Sequence, residues 1–427
     1  MRNESQNRTY ALVMIGMLFF IFGFVTWLNG TLIPFLKLSC QLETDTEAFF
    51  VTFAFYMAYF FLSVPASFVL KKTGFKGGMA LGLFVMAIGS LIFIPAANAR
   101  SFGLFLTGLF IQGAGLALLQ TAVNPYVSIL GPIESAAKRI SIMGICNKVA
   151  GMLSPLVLSA LVLKDATKIE TDILATSDLV QKNILLDELS QRVIMPYVIM
   201  AIVLIIVAVL IKKSSLPEIE AEEEVEDAIL VKRTSVFQFP YLMLGVLCLF
   251  LYVGIEVLAG DAIGMYGKHM GMPLDQTKYF TSFTLSAMLV GYVIGIFTIP
   301  KYLSQQKALA ISAVLGLIFS LGVFFSDGYV AITFIALLGL ANALMWPAIF
   351  PLAIEGLGKF TKFGSAMLVM AIAGGAIFPI LYAALRDHLH LSNELSFLLC
   401  ALPAYLYILF YAVKGNTIGK RKLGVKS

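Results

Sequence analysis

The sequence predicts an all-α membrane protein in which twelve transmembrane helices form two six-helix bundles. The first observation is composition: of 427 residues, 59% are apolar and only 13% are charged, and the mean hydropathy is +0.91. Soluble domains average about 45–50% apolar and about 25% charged residues, so a water-soluble enzyme is excluded. The second observation is a series of apolar segments about 20 residues long, the length that crosses a bilayer. The third is the distribution of basic residues between alternate loops.

The apolar segments account for the twelve predicted helices in order. Each segment is long enough to span the hydrocarbon core, and polar or charged residues separate it from the next. The first segment follows a polar N-terminus and is too long for a cleaved signal peptide, so it is interpreted as a transmembrane helix. The predicted spans are residues 10–36, 49–70, 79–98, 102–130, 140–163, 193–211, 239–264, 279–300, 308–326, 329–353, 365–385 and 396–413.

Basic residues predict the topology of these spans. With the N-terminus inside, the inner connections and the two termini carry 20 of the 30 lysine and arginine residues, and the outer connections carry nine. Cytoplasmic loops of membrane proteins are enriched in lysine and arginine. The sequence therefore predicts that both termini are cytoplasmic. The same distribution explains the net charge of +5 without nucleic acid as a partner.

A polar segment divides the chain into two halves. Residues 213–238 contain the acidic run 218–227, which is typical of a solvated cytoplasmic linker. The predicted domains are therefore residues 1–212 and 239–427, with six spans in each.

Short sequences recur at matching positions of these halves. In the fourth span the string QTAVNP begins at Gln120, and in the tenth span NALMWP begins at Asn342. Gly30 and Asp261 occupy corresponding positions in the first and seventh spans. Several matches in consistent order indicate a duplicated six-helix unit.

Twelve spans, a duplicated unit and a long central loop resemble the major facilitator superfamily. Residues 22–34 (FGFVTWLNGTLIP) and 120–132 (QTAVNPYVSILGP) narrow this resemblance to its fucose–proton symporter family, and residues 252–257 and 347–358 also fit. The resemblance covers nearly the whole chain. It implies the import of a monosaccharide such as fucose, glucose or galactose, driven by a proton or sodium gradient. It also implies a multi-pass location in a bacterial inner membrane.

The chain departs from the fucose branch of that family at two positions. The fucose permeases carry an acidic residue after the asparagine of the first span and a glutamate in the fourth span. This chain has Gly30 and Gln120 there, and neither takes up a proton at physiological pH. The resemblance is therefore closer to the sodium-dependent glucose transporter branch.

Three charged side chains fall well inside the predicted spans: Lys148, Glu256 and Asp261. Charges within a bilayer are costly and usually face a cavity or a partner. At about 1.5 Å per residue, Lys148 and Glu256 lie at depths that allow an ion pair between the two halves. Either a role in cation coupling or a static ion pair fits these residues. Gly260 and Gly264 flank Asp261 and favour an unwound helix, so its carboxylate and free carbonyls are predicted to hold Na⁺.

Amides and tryptophan within the spans are the predicted sugar ligands. Amides hydrogen-bond hydroxyls, and an aromatic ring packs against the apolar face of a sugar. The same amides also suit hydrogen bonds between helices. The three histidines fall in outer loops, and no role is predicted for them. The candidate sugar-binding residues are Asn29, Gln120, Asn124, Asn147, Asn342 and Trp346.

The sequence therefore predicts a secondary active importer of a glucose- or galactose-type hexose that works by alternating access. Coupling to Na⁺ is favoured, with H⁺ coupling or an uncoupled uniporter as alternatives, and no cofactor is expected. The four cysteines form no Cys-x-x-Cys pair, which argues against a metal site or a disulfide. A membrane enzyme is disfavoured because no catalytic set is visible. The expected partners are the sugar and membrane lipid, and the expected state is a monomer.

Overall fold

The computed structural model describes residues 2–129, 136–216, 235–299 and 301–420. These ranges are helical apart from short turns and loops. The first half contains α1 (Arg2–Thr26), α2 (Asn29–Ser39), α3 (Asp45–Ala48), α4 (Phe50–Leu91), α5 (Phe93–Asn98), α6 (Phe102–Ile129), α7 (Ala136–Val162), α8 (Ala166–Ala175), α9 (Leu179–Gln191) and α10 (Ile194–Lys213). The second half contains α11 (Pro240–Asp261), α12 (Ile263–His269), α13 (Leu274–Thr277), α14 (Phe280–Thr298), α15 (Gln305–Phe324), α16 (Gly328–Asn342), α17 (Met345–Ile354), α18 (Thr361–Met370), α19 (Gly374–Asp387) and α20 (Asn393–Val413).

The number of membrane crossings agrees with the sequence. In the described chain, eleven helical segments are long and apolar enough to span a bilayer. One of them, Phe50–Asn98, has 49 residues, which far exceeds a hydrocarbon core of about 30 Å. Within this segment α4 bends at Gly74, whose φ of +68° is in the left-handed region that glycine tolerates. The two limbs of α4 cross separately, and the prediction of twelve transmembrane helices is confirmed.

An even number of crossings places both ends of the chain on one face of the membrane. We call this the terminal face and the opposite side the far face. The connection between the fifth and sixth spans lies at the far face, where the sequence predicts a polar loop. The structure instead has α8 and α9, because residues 166–191 contain no glycine or proline. The Asp178 side chain also caps α9 by accepting a hydrogen bond from the Val180 N–H at 2.9 Å. Most of the predicted linker, residues 217–234, lies outside the described residues.

The seventh span is less interrupted than predicted. Between α11 and α12 only Ala262 falls outside a helix, and its N–H still donates to the Leu258 carbonyl at 3.2 Å. Gly260 therefore does not belong to an unwound segment. A Cβ at that position would lie 2.4 Å from the Trp27 ring, so this glycine allows a close approach of the first span.

The same helix contact recurs in both halves. In the first half, a Cβ at Gly113 of α6 would lie 2.2 Å from the Phe55 carbonyl oxygen of α4. In the second half, a Cβ at Gly339 of α16 would lie 2.1 Å from the Thr284 carbonyl oxygen of α14. Glycine thus brings the second span onto the fourth and the eighth onto the tenth. This correspondence agrees with the repeated sequence strings.

The two halves meet at two main contacts between transmembrane spans. The helix α7 packs against α14, and α4 packs against α18 and α19. At the first of these contacts, Gly144 lies against the ring of Tyr292. The space between the two contacts is left for a cavity at the centre of the molecule.

Candidate functional site

The central cavity lies between the halves, and its wall includes Trp27 of the first span. Towards the terminal face the wall extends to Ile140, near the start of α7, and to Pro347 in α17. Side chains from both halves therefore face one space. Six of the predicted site residues line this cavity: Gln120, Asn124, Asn147, Lys148, Glu256 and Trp346.

An ion pair joins the two halves inside the cavity. Lys148 Nζ on α7 lies 2.8 Å from Glu256 Oε1 on α11. The ammonium also lies 4.4 Å from the centroid of the Trp27 ring, a cation–π contact. The two charged side chains are 8% and 10% exposed, so water screens them little. A buried pair offsets its desolvation only with good geometry and added contacts, and both are present here.

The cavity amides are held in place by the protein. Gln120 Nε2 donates to the Tyr59 hydroxyl at 2.8 Å. Asn147 Nδ2 donates to the Phe19 carbonyl at 3.5 Å and so connects α7 to α1. An amide that uses one N–H in this way still has a second N–H and its carbonyl oxygen to form hydrogen bonds with a ligand. These two side chains are oriented hydrogen-bonding groups in the cavity wall.

Two predicted sugar ligands lie outside the cavity wall. Asn342 accepts a hydrogen bond from the Tyr405 hydroxyl at 2.8 Å and connects α16 to α20. Asn29, at the start of α2, is 1% exposed and also lies in the packed interior. Spacing along a helix predicts the depth of a residue, but the packing of neighbouring helices decides whether it faces the cavity. The structure therefore does not bring these asparagines to the central cavity.

Asp261 lies behind the cavity wall and is completely buried. Neither carboxylate oxygen accepts a hydrogen bond from any described residue, although the backbone of Gly30 lies beside it. Tyr56 interacts electrostatically with Asp261 and lies beside Asn29. The Tyr56 hydroxyl and the Asn29 side chain are likewise buried without a partner in the described part of the chain. Such groups are costly in a dry interior unless a ligand satisfies them.

Gly30 leaves no room for a side chain at its position in the first half. A Cβ at Gly30 would lie 2.2 Å from Thr281 Oγ1. The eighth span therefore occupies the space that a side chain at position 30 would need. Asp261, at the corresponding position of the seventh span, is the acid that this packing accommodates.

A separate cluster closes the far face, and the sequence gives no signal for it. Asp45 on α3 is bonded to Lys37 of the first half and to His269 of the second. Arg386 Nη1, also from the second half, donates to Asp45 Oδ2 at 2.7 Å. Its Nη2 donates to His269 Nδ1 at 3.0 Å. We call these four residues the far-face latch. The sequence analysis assigned no role to His269, and it could not identify these contacts because the partners of His269 are distant in the sequence.

Further contacts between the halves extend this closure. The backbone and hydroxyl of Thr46 donate to Asp387 Oδ2 at 2.9 and 2.8 Å. On α8, the Thr167 N–H donates to Asp275 Oδ2, and the Asp275 N–H donates back to Thr167 Oγ1, both at 3.2 Å. The structure is therefore closed at the far face, while the cavity extends towards the terminal face.

The sequence profile of the Major Facilitator Superfamily matches residues 15–380. The chain belongs to this superfamily. Among its relatives, a glucose/galactose transporter of Brucella abortus biovar 1 (strain 9-941) is 34% identical over 97% of this chain and 96% of that protein. A putative glucose/galactose transporter of Helicobacter pylori (strain J99) is 32% identical over 96% of this chain and 98% of that protein. The L-fucose-proton symporter of Escherichia coli (strain K12) is 28% identical over 88% and 87%.

Solved structures of the major facilitator superfamily share the fold. The transporter FucP in its outward conformation matches with a TM-score of 0.74 and 27% identity, over 95% of this chain and 98% of that one. A D-xylose-proton symporter matches with a TM-score of 0.66 and 16% identity, over 94% and 97%, which shows the fold alone. The predicted family and fold are confirmed. The chain is a multi-pass sugar transporter of the major facilitator type and not an enzyme.

We expect Gln120→Ala or Asn147→Ala to weaken sugar binding to this major facilitator transporter by about 1–3 kcal/mol. The reason is that a buried hydroxyl of the sugar loses its hydrogen-bond partner. Titration calorimetry on the purified protein measures the effect. Gln112, on the same helix as Gln120, is a matched control because it is 1% exposed and donates to Ser90 Oγ at 2.7 Å. Gln112→Ala should lower stability and leave the affinity unchanged. Normal affinity in both cavity variants would contradict the assignment.

Proposed function

We propose that this transporter imports a glucose- or galactose-type hexose and couples its uptake to a cation. The observation that carries the proposal is the cavity between the halves, where fixed amides, tryptophan and an ion pair face one space. Amides and paired charges form hydrogen bonds with hydroxyl groups, and an aromatic ring packs against the apolar face of a sugar. The relatives named glucose/galactose transporters support the hexose.

We propose Asp261 as the residue that holds the coupling cation. A buried carboxylate without a hydrogen-bond partner is unstable as a bare charge, so a proton or a metal cation must neutralise it. Asp261 interacts electrostatically with Glu256 and Lys148, and these three residues carry two negative charges and one positive charge. One bound cation makes this group of three residues neutral.

Na⁺ is the favoured cation, and H⁺ is the alternative. The unpaired oxygens of Asn29 and Tyr56 beside Asp261 are the hard donors that such cations prefer. The relatives named L-fucose-proton symporters support H⁺ instead. In the sodium mechanism, Na⁺ bound at Asp261 weakens the electrostatic attraction between that carboxylate and Lys148. The cavity then orders around the sugar. By linkage, sodium and sugar raise each other's affinity by the same factor.

The proposed cycle is alternating access in a bacterial inner membrane, with both termini cytoplasmic. With that orientation, the closed far face is the outer side, and the cavity extends towards the cytoplasm. Opening the far-face latch would then admit sugar and cation from outside. Protease access to a C-terminal tag in intact cells tests the orientation. A monomer suffices for this cycle because one chain supplies the whole cavity.

Uptake into proteoliposomes separates the coupling alternatives. We expect labelled galactose or glucose to accumulate when an inward Na⁺ gradient is imposed at constant pH, and to only equilibrate without it. Liposomes without protein are the control. Accumulation that ignores Na⁺ and follows an imposed pH gradient would establish H⁺ coupling. Equilibration under every gradient would indicate a uniporter, and the absence of hexose uptake would overturn the proposed substrate.

A further inference from the structure

Among the described residues that line the cavity, the only charged side chains are Lys148 and Glu256. They are bonded to each other at 2.8 Å and come from opposite halves of the transporter. The other buried acid, Asp261, lies behind the wall and is not part of the lining. The surface offered to a ligand therefore carries one positive and one negative charge in direct contact.

This pair suits an uncharged polyol. The ammonium has three N–H groups and the carboxylate has two oxygens, so the bond between them leaves donors and acceptors for hydroxyls. A neutral sugar can use these groups while the ion pair stays intact. The Trp27 ring, 4.4 Å from the ammonium, holds Lys148 in this position.

A charged sugar at this ion pair is repelled by the side chain that carries the same charge. The carboxylate of a hexuronate is attracted to Lys148 but must lie beside Glu256, which repels it. The ammonium of a hexosamine is attracted to Glu256 but must lie beside Lys148. Because both side chains are at most 10% exposed, water does little to relieve either repulsion. Discrimination by a built-in repulsion is a common source of specificity in binding sites.

We propose that the Lys148–Glu256 pair is a charge filter that restricts the cavity to uncharged hexoses and rejects hexuronates and hexosamines. The inference rests on the proposed hexose function and names the residues that set its specificity. Lys148 rejects ammonium sugars, and Glu256 rejects carboxylate sugars. Removing one partner should therefore admit the class of sugar that this partner rejects.

The test uses the intrinsic fluorescence of the purified full-length transporter. The chain has two tryptophans, and both Trp27 and Trp346 line the cavity, so their emission reports binding without transport. Saturating Na⁺ and about pH 7 keep the coupling site in one state. The titrants are D-galactose, D-galacturonate and D-galactosamine. The variants are Glu256→Gln, Lys148→Gln and the double variant, which keeps the cavity neutral without the ion pair.

For the unmodified protein we expect galactose to bind at least about tenfold more tightly than either charged sugar. Glu256→Gln should shift the preference at least about tenfold towards galacturonate. Lys148→Gln should shift it at least about tenfold towards galactosamine. The double variant should show neither shift, because no unpaired charge remains. The opposite directions of the two single variants distinguish a charge filter from a general loosening of the site.

Several results would overturn the filter. One is equal binding of galactose and galacturonate by the unmodified protein, which needs no folded variant. Another is a single variant that binds galactose with no shift towards the predicted charged sugar. If one single variant fails to fold, the mirror variant and the unmodified protein still decide the question. Failure of every neutral hexose to bind the unmodified protein would instead overturn the proposed function.

Discussion

Replacing Asp45 with alanine is expected to open the far face of the transporter. The Asp45 side chain is 1% exposed, and its removal leaves Lys37, His269 and Arg386 as neighbouring groups without their acceptor. Removing one partner of a buried ion pair costs about 3–5 kcal/mol. Lys37 and His269 are 24% and 26% exposed, so water relieves part of this cost. We expect a shift of about 2–3 kcal/mol, or about 30- to 150-fold, towards the open state.

Spin labels on the two halves measure this opening. Cysteine substitutions at Glu43 and Leu389 place labels on exposed far-face positions of opposite halves. The distance between the labels should increase in Asp45→Ala. Asp187→Ala is the matched control, because Asp187 pairs with Arg100 at 2.7 Å within one half. An unchanged distance in Asp45→Ala, or an equal increase in the control, would show that the latch does not hold the halves together.

The latch also predicts a pH dependence with a definite sign. Burial raises the pKa of Asp45, but its contacts with His269 and Lys37 outweigh burial and hold this pKa well below its ordinary value. A lowered pKa stabilises the closed state above the ordinary carboxyl range, near pH 4, and this stability is lost as the pH falls further. Asp45 therefore stays ionised between about pH 5 and 8.

His269 joins Asp45 to Arg386 in the latch. In the closed structure His269 Nδ1 accepts a hydrogen bond from Arg386 Nη2 at 3.0 Å, and its Nε2 is bonded to Asp45. The charged groups of the latch are Asp45, Lys37 and Arg386. Asp387 follows Arg386 in the chain. The distance between the two labels should increase as the pH falls below about 4, because Asp45 then loses its stabilisation of the closed state. A label distance that does not respond to this acidification would exclude Asp45 as the residue that keeps the far face closed.

The second large effect is expected from Asp261→Asn, which should abolish cation-driven accumulation of sugar. Asparagine keeps the size of the side chain but carries no charge, so a cation gains nothing by binding there. The variant should still exchange sugar across the membrane down its own gradient. Its sugar affinity should no longer respond to Na⁺, whereas the unmodified protein should bind sugar more tightly when Na⁺ is added.

Measurements of sugar affinity and of sugar exchange together test the role of Asp261. Sugar affinity is measured with and without Na⁺ in detergent, and exchange of labelled sugar is measured in proteoliposomes. Asp327→Asn is the matched control, because Asp327 is an exposed acid of the same half and should keep full cation dependence. Full Na⁺ stimulation in Asp261→Asn would remove Asp261 from the coupling mechanism. Loss of both exchange and accumulation would indicate that its role is structural.

The pair between Lys148 and Glu256 shows how far sequence reasoning reaches in a membrane protein. Each residue of a helix advances by about 1.5 Å, so position in a span gives depth in the bilayer. Charge at depth is costly, and the long lysine side chain can bridge the difference in depth between these two residues, so an ion pair between them is possible. The structure confirms this contact at 2.8 Å. No comparable argument reaches His269 or Arg386, because both fall outside the predicted spans and are far from Asp45 in the chain.

By itself, the sequence determined the twelve spans and the depth of the buried charges, because hydropathy and helical rise act locally along the chain. It also indicated the superfamily, through the resemblance of its short sequence strings to a known family. Only the tertiary structure decided which way the polar side chains face. Asn342 bonds to Tyr405 instead of lining the cavity, and Asp261 lies behind the wall with unpaired oxygens. The rotation of each helix about its axis depends on many weak packing contacts with its neighbours, and these become definite only when all the helices are assembled.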